Sequence, residues 1–256
     1  MSRIANAFKD GKAFIAFVTG GDPSLARSEE FILELIRGGA DLIEIGIPFS
    51  DPIAEGPVIQ EANLRALAAG TTTDGIFGLV SSLRKKTEVP IVLLTYLNPV
   101  FKYGYERFFA ACETAGVDGI IVPDLPFEES GEVRPIAAAH GVDLISLVAP
   151  TSDVRIAEIA EQSAGFLYIV SSMGVTGVRS EITTDISGIV AAARAATQTP
   201  VAVGFGIHSA AQAKEIAGVA DGVIVGSAIV RIIAEHGEKS AEKLYEFARA
   251  IKEAVQ

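Results

Sequence analysis

Residues 42–60 read Leu42-Ile-Glu-Ile-Gly-Ile-Pro-Phe-Ser-Asp-Pro-Ile-Ala-Glu-Gly-Pro-Val-Ile-Gln60. The stretch opens with a short apolar run that ends at Pro48 and carries one acid, Glu44. A strand covered on both faces should exclude an unpaired carboxylate, because burying that charge is costly. Asp51 and Glu55 follow on a segment punctuated by Pro and Gly. A carboxylate at the C-terminal end of a strand, with more on the loop after it, is how a barrel of alternating strands and helices places acid–base groups.

Runs of the same kind recur at 14–19, 42–47, 91–96, 119–122, 143–148, 166–170, 201–204 and 222–225. Between them lie Ala/Glu/Leu-rich stretches of helical period, among them 24–37, 105–115, 126–139, 152–161, 186–196 and 210–216, and the chain closes on 239–254. Eight strands, each followed by a helix, predict an α/β fold: a single (β/α)8 barrel domain over 1–256, with an extra N-terminal helix and additional short helices. An open doubly wound sheet fits less well. It would have five or six strands and a glycine fingerprint after the first, whereas Gly20-Gly-Asp-Pro23 is a turn. Three phrases echo one another before strands: Gly38-Gly-Ala-Asp41, Ala115-Gly-Val-Asp118 and Gly218-Val-Ala-Asp221. Each reads as a helix C-cap glycine and a short turn into a strand. Two loops, 48–57 and 171–184, are longer than a bare turn needs and read as lids.

A chain of 256 residues is long enough for such a barrel. Its mean hydropathy of +0.39 suits a buried parallel sheet or a covered partner interface. No run of 18 or more residues is free of charges and turn residues, so no membrane span is predicted. The net charge of −11 disfavours broad nucleic-acid binding. It leaves room for a small anionic substrate, which backbone N–H groups and helix N-termini bind. Cys112 is the only cysteine, which excludes an internal disulfide and a cysteine metal cluster. The first ten residues read as a short amphipathic helix rather than a leader, and a cytoplasmic enzyme is expected.

Glycines follow the last three strands at 174–177, at 204 and 206, and at Gly226, which precedes Ser227. Each alone reads as a turn. Together they match the phosphate site that barrels build after their late strands. Ser227 either caps the next helix or offers its hydroxyl to the phosphate. Asp124, in Val122-Pro-Asp-Leu-Pro126, either binds substrate, caps a helix or meets a partner. His140, His208 and His236 are not at metal-ligand spacing and read as surface residues, and Cys112 reads as packing.

Several phrases, in order along nearly the whole chain, resemble those of the tryptophan synthase α-chain family. They are Phe17-Val-Thr-Gly-Gly-Asp-Pro23, Glu44-Ile-Gly-Ile-Pro-Phe-Ser-Asp-Pro52, Gly56-Pro-Val-Ile-Gln60, Tyr96-Leu-Asn-Pro99, Pro123-Asp-Leu-Pro-Phe-Glu-Glu-Ser130, Gly174-Val-Thr-Gly177, Gly204-Phe-Gly-Ile207 and Val225-Gly-Ser-Ala-Ile-Val230. The resemblance implies a barrel lyase that cleaves indole-3-glycerol phosphate to indole and glyceraldehyde 3-phosphate without a metal or organic cofactor of its own. It implies Glu44 as the acid–base group and Glu55 as the acid that accepts the indole N–H. The family usually has aspartate at the second position, so this carboxylate stands one methylene further from the backbone. The phosphate would meet Gly177, Gly206, Gly226 and Ser227. Phe17 and Tyr168 would line the pocket, Thr176 would close the lid on the loop acid, and Asp51 would contact a partner. That partner is a β chain carrying pyridoxal phosphate, in an αββα assembly. Two other readings remain: another phosphate-binding barrel enzyme, and a mainly regulatory subunit. An indole-glycerol-phosphate synthase would need a lysine acid, and none lies within the eight strands.

Overall fold

The computed structural model describes residues 3–150, 153–170, 185–204 and 206–256. The strands are β1 (Ala13–Thr19), β2 (Leu42–Gly46), β3 (Ile91–Leu94), β4 (Gly119–Ile121), β5 (Asp143–Leu144), β6 (Ser146–Val148), β7 (Leu167–Val170), β8 (Val201–Gly204) and β9 (Gly222–Val225). They form one sheet in the order β5-β4-β3-β2-β1-β9-β8-β7-β6, and every ladder is parallel.

The two edges of that sheet, β5 and β6, are halves of the single run expected at 143–148. They are separated by Ile145 alone, whose N–H donates to Ile120 O at 2.9 Å. The first half pairs with β4 and the second with β7, so the chain bridges the two edges and the barrel closes. The expected eight strands thus become nine segments, because the fifth changes partner midway.

Around the barrel run α1 (Leu25–Arg37), α2 (Pro57–Ala68), α3 (Thr73–Leu83), α4 (Leu97–Tyr103), α5 (Tyr105–Ala115), α6 (Arg134–Ala139), α7 (Asp153–Glu161), α8 (Ile186–Ala196), α9 (Ala210–Ala217), α10 (Ser227–His236) and α11 (Ala241–Val255). The helix expected at 126–139 is instead a 3-10 turn, Phe127–Glu132, followed by α6. Pro135 lacks an N–H and disfavours helical geometry in the residue before it, so it starts a helix better than it continues one. The expected N-terminal helix is likewise a 3-10 turn, Arg3–Phe8.

Strand alternation sorts the core. Phe14, Ala16 and Val18 of β1 face the helices, together with Ile43 and Ile45 of β2. Ala13, Ile15 and Leu42 face the interior, with Val92, Ile121, Phe166 and Ile224. The turn at the N-terminus adds Ile4 and Ala7 to this inner cluster and so plugs the lower end of the barrel. The same alternation turns Glu44, between outward Ile43 and Ile45, toward the interior.

The three echoing phrases share a clasp made by their aspartates rather than by their glycines. Asp41 Oδ2 accepts from Phe14 N at 2.7 Å, Asp118 Oδ2 from Ile91 N at 2.8 Å and Asp221 Oδ2 from Val201 N at 2.9 Å. Each aspartate also holds a cation: Lys252, Arg84 and Arg194 respectively. All three glycines are the expected helix C-caps, Gly116 in the left-handed region and Gly38 and Gly218 right-handed. Asp118 is buried and takes Arg3 as a second partner at 2.8 Å. Asp118→Ala would strand the largely buried Arg84 and is expected to cost about 3 kcal/mol of unfolding free energy. Urea unfolding checks this, and a loss under about 0.5 kcal/mol would show the clasp to be redundant.

Candidate active site

A cavity of about 580 Å³ opens at the C-terminal ends of the strands, where Phe17, Glu44, Leu94, Val122, Tyr168 and Gly226 line it. Glu44 lies on β2 beside Phe17 of β1 and Val92 of β3. It is buried, and its Oε2 has no hydrogen-bond partner among the described residues. Burial, with a smaller push from the charge of Glu55, raises its carboxyl to about 8. Glu44 therefore carries a proton at neutral pH and faces a cavity into which it can deliver it.

The aromatic walls are seated by glycines. A Cβ at Gly46 would lie 2.9 Å from Phe17 Cζ, and one at Gly226 would lie 3.3 Å from Phe17 Cδ1. A Cβ at Gly204 would come within 2.4 Å of the Tyr168 hydroxyl. Burial and the nearby Glu44 raise the Tyr168 phenol well above its usual range, so it stays protonated.

Glu55 lies on the loop at 48–57 and is buried just before α2. Asn63 Nδ2 donates to its Oε2 at 2.6 Å, and the Tyr96 hydroxyl also bonds its carboxylate. That hydroxyl accepts in turn from Ala54 N at 3.2 Å. Gln60 Nε2 donates to Glu55 O at 2.8 Å, which pins the backbone. Burial raises the Glu55 pKa, and the bonds from Asn63 and Tyr96 oppose that rise. Sequence reasoning named neither residue as part of the site. Asn63 carried a signal, since it breaks the buried apolar stripe formed by Ile59, Ala62 and Ala66 on α2. Tyr96 carried another, directly after an apolar strand.

Gly206, Gly226 and Ser227 all line the cavity. Gly226 is the N-cap of α10 and Ser227 its first helical residue, so the serine does not cap the helix. Among the described residues no side chain caps it, and the first intrahelical bond is Val230 N to Gly226 O at 3.0 Å. The N–H groups of the first turn are therefore open to an anion. Thr176 and Gly177, with the rest of the loop at 171–184, lie outside the described residues.

Asp51 is exposed beside the Ser50 hydroxyl and is not part of the cavity wall. Its neighbour Ile53 is 71% exposed although it is a large apolar side chain. Asp124 accepts from Leu97 N at 2.8 Å, so it caps the start of the earlier helix α4 rather than the helix that follows it. His140 pairs with Glu113 at 2.7 Å, and Cys112 is buried with its thiol pushed up to about 12. Among the described residues no cluster of His, Cys, Asp and Glu could hold a metal ion.

A closed parallel barrel with two buried carboxyls in its mouth, beside a helix N-terminus that no described side chain caps, has the architecture of a barrel enzyme. The family model described as "Tryptophan synthase alpha chain" matches residues 4–256. Curated relatives of that description include those of Lactiplantibacillus plantarum, 50% identical over 100% of this chain and 97% of the relative, and Lacticaseibacillus casei, 48% identical over 100% and 96%. Among solved structures, the tryptophan synthase subunit alpha of Legionella pneumophila is 35% identical with a TM-score of 0.90, covering 100% of this chain and 98% of that one. A structure of the tryptophan synthase a2b2 complex from Pyrococcus furiosus matches at 38% identity and a TM-score of 0.87, covering 94% and 98%. The chain belongs to the tryptophan synthase alpha chain family.

Proposed function

We propose that this chain is a carbon–carbon lyase that cleaves indole-3-glycerol phosphate to indole and D-glyceraldehyde 3-phosphate. The single domain at 1–256 would supply the indole to a tryptophan synthase β chain. The observation that carries the reading is Glu44, an interior carboxyl raised to about 8 with an unpartnered oxygen.

The step balances on that residue. The Glu44 carboxylic acid gives its proton to indole C3, which leaves a cationic ring. Glu55 accepts the ring N–H and stabilises that charge. The Glu44 carboxylate then takes the proton of the side-chain hydroxyl as the carbon–carbon bond breaks, and its electrons return to the ring. The aldehyde and neutral indole result, and Glu44 is again protonated. The phosphate is held at the first turn of α10 by Gly226 and Ser227, with Gly206 beside it and Gly177 from the loop at 171–184. Phe17 and Tyr168 line the space for the flat apolar ring, and Thr176 is the proposed hydrogen-bond partner of Glu55.

The a2b2 complex among the solved relatives supports an αββα assembly. Asp51, next to exposed Ile53, is the proposed contact with the β chain, and pyridoxal phosphate belongs to that chain. The reaction is placed in the cytoplasm. No described helix is long and apolar enough to cross a membrane.

The reading predicts indole release from indole-3-glycerol phosphate by the purified chain, faster once the β chain is added. No indole in either assay would overturn it. The glutamate at 55 adds a sharper expectation. Asn63 and Tyr96 hold the carboxylate where the longer side chain puts it. Glu55→Asp would withdraw it by roughly 1 Å and is expected to lower kcat on the order of 10²-fold. A faster Glu55→Asp enzyme would show that the glutamate is misplaced for catalysis.

A further inference from the structure

The cavity does not end at the barrel mouth. Leu144 and Val148 pack with the helix-facing core, whereas Ile145 joins the interior and Leu147 packs against it. Ser146, between them, faces the helix side with Leu144 and Val148. The cavity touches both Leu147 and Ser146, so it passes through the barrel wall. The wall is open there because the ladder from β4 to the fifth strand ends at the Ile145–Ile120 bond. Past that bond Val122 and Pro123 face Ser146 and Leu147 without ladder pairing among the described residues.

Outside this seam lies a chamber beneath the 3-10 turn, α6 and α7, and Arg134 lines it. Its guanidinium Nη1 donates to Gln162 O at 3.0 Å, and its Nη2 reaches Ser130 Oγ at 3.5 Å. Its Nε is buried without an acceptor among the described residues. Burial lowers its pKa, and no carboxylate opposes the shift. The buried Ser146 hydroxyl also lacks a partner there. Arg155 lines the same chamber, but Glu128 grips its guanidinium. A half-desolvated cation whose partners are all neutral is unfavourable unless something brings it a negative charge.

We infer that this lateral chamber binds a small organic carboxylate, seated on Arg134 and Ser146 and opening through the seam into the barrel. Glu128 and Glu158 both act on Arg155, whereas no carboxylate among the described residues acts on Arg134, so the positive charge left for a ligand is that of Arg134. That matches a monoanion and leaves a phosphate dianion half-balanced. The planar fork of a guanidinium matches a carboxylate edge. Phe127, Leu144, Pro150 and Ile159 supply apolar walls for the rest of the ligand.

The test is a fluorine NMR titration of the full chain with 4-fluorobenzoate, and with 4-fluorobenzamide as its neutral counterpart. The acid should bind saturably, and the amide about tenfold or more weaker, as loss of a charge-assisted contact dictates. Arg134→Met should weaken the acid by at least about tenfold. Ser146→Ala removes a hydroxyl that has no partner among the described residues, so folding should survive, and it should weaken the acid by roughly threefold to tenfold. Equal affinity for acid and amide, no effect of either variant, or no saturable binding would each overturn the site. None of these outcomes bears on cleavage at Glu44, which is assayed by indole release.

Discussion

Glu44→Gln is expected to lower kcat for indole-3-glycerol phosphate cleavage by on the order of 10³-fold or more, with KM changed little. The amide keeps the size of the side chain and the neutral state that burial already favours, so the substrate should still seat. It removes the one group placed to give a proton to indole C3 and then take one from the hydroxyl. Glu55 cannot substitute, because its carboxylate is engaged by Asn63 and Tyr96. The proton count also fixes a pH profile. With Glu44 raised to about 8, the enzyme is protonated and competent below that pH. In the free enzyme kcat/KM should therefore fall as pH rises through about 8, a limb that an ordinary glutamate would place near 4.5. Steady-state indole release from about pH 6 to about pH 10 reads both effects. A Gln variant within about tenfold of the wild type would remove Glu44 from the mechanism.

Much of this was legible in the sequence because the barrel repeats one unit. Each apolar run became a strand, except that the fifth became two, and strand parity turned Glu44 inward. The partner switch at Ile145 was not legible, because local pattern does not say which neighbour each half of a short apolar run will pair with. The break before α6 had a local signal in Pro135, but the Ala-rich stretch after it carries helical period across the boundary. Reading 126–139 as one helix hid the chamber that the 3-10 turn and α6 enclose around Arg134. The phosphate glycines were found by their place after late strands. The choice between Gly226 and Ser227 as cap depends on one residue of register, which sequence does not set. The supports of Glu55 come from α2 and from the end of β3, so only the folded barrel brings them together.

Those supports distinguish two carboxyls that the sequence presents alike. Glu55 meets two donors, whereas Oε2 of Glu44 meets none among the described residues. At Glu55 those bonds oppose the rise that burial causes, whereas at Glu44 burial and the charge of Glu55 both favour the neutral form. Acid–base assignments follow from environments that push paired groups apart in this way.

The same environment makes Glu44 a liability to the fold, and Glu44→Gln should stabilise the protein by an amount that grows with pH. The folded pKa of about 8 lies above the unfolded value of about 4.5. Between those values the native state binds the proton and the unfolded state does not, so stability falls as pH rises. Below about 4.5 both states are protonated and the group contributes nothing; above about 8 both are ionised and the full cost is in place. That cost is on the order of 3–5 kcal/mol, from a shift of a few units at about 1.4 kcal/mol each. The amide of the variant does not titrate, so the variant should match the wild type near about pH 5 and exceed it progressively to about pH 9. Urea unfolding of both proteins at about pH 5, 7 and 9 measures the gap directly. Parallel curves across that range would mean that the buried carboxyl finds a compensating partner, and the neutral-acid role of Glu44 would fall with its raised pKa. A gap that opens with pH, alongside lost turnover, would tie the destabilisation to the chemistry: the proton is held because Oε2 of the buried carboxyl has no hydrogen-bond partner among the described residues.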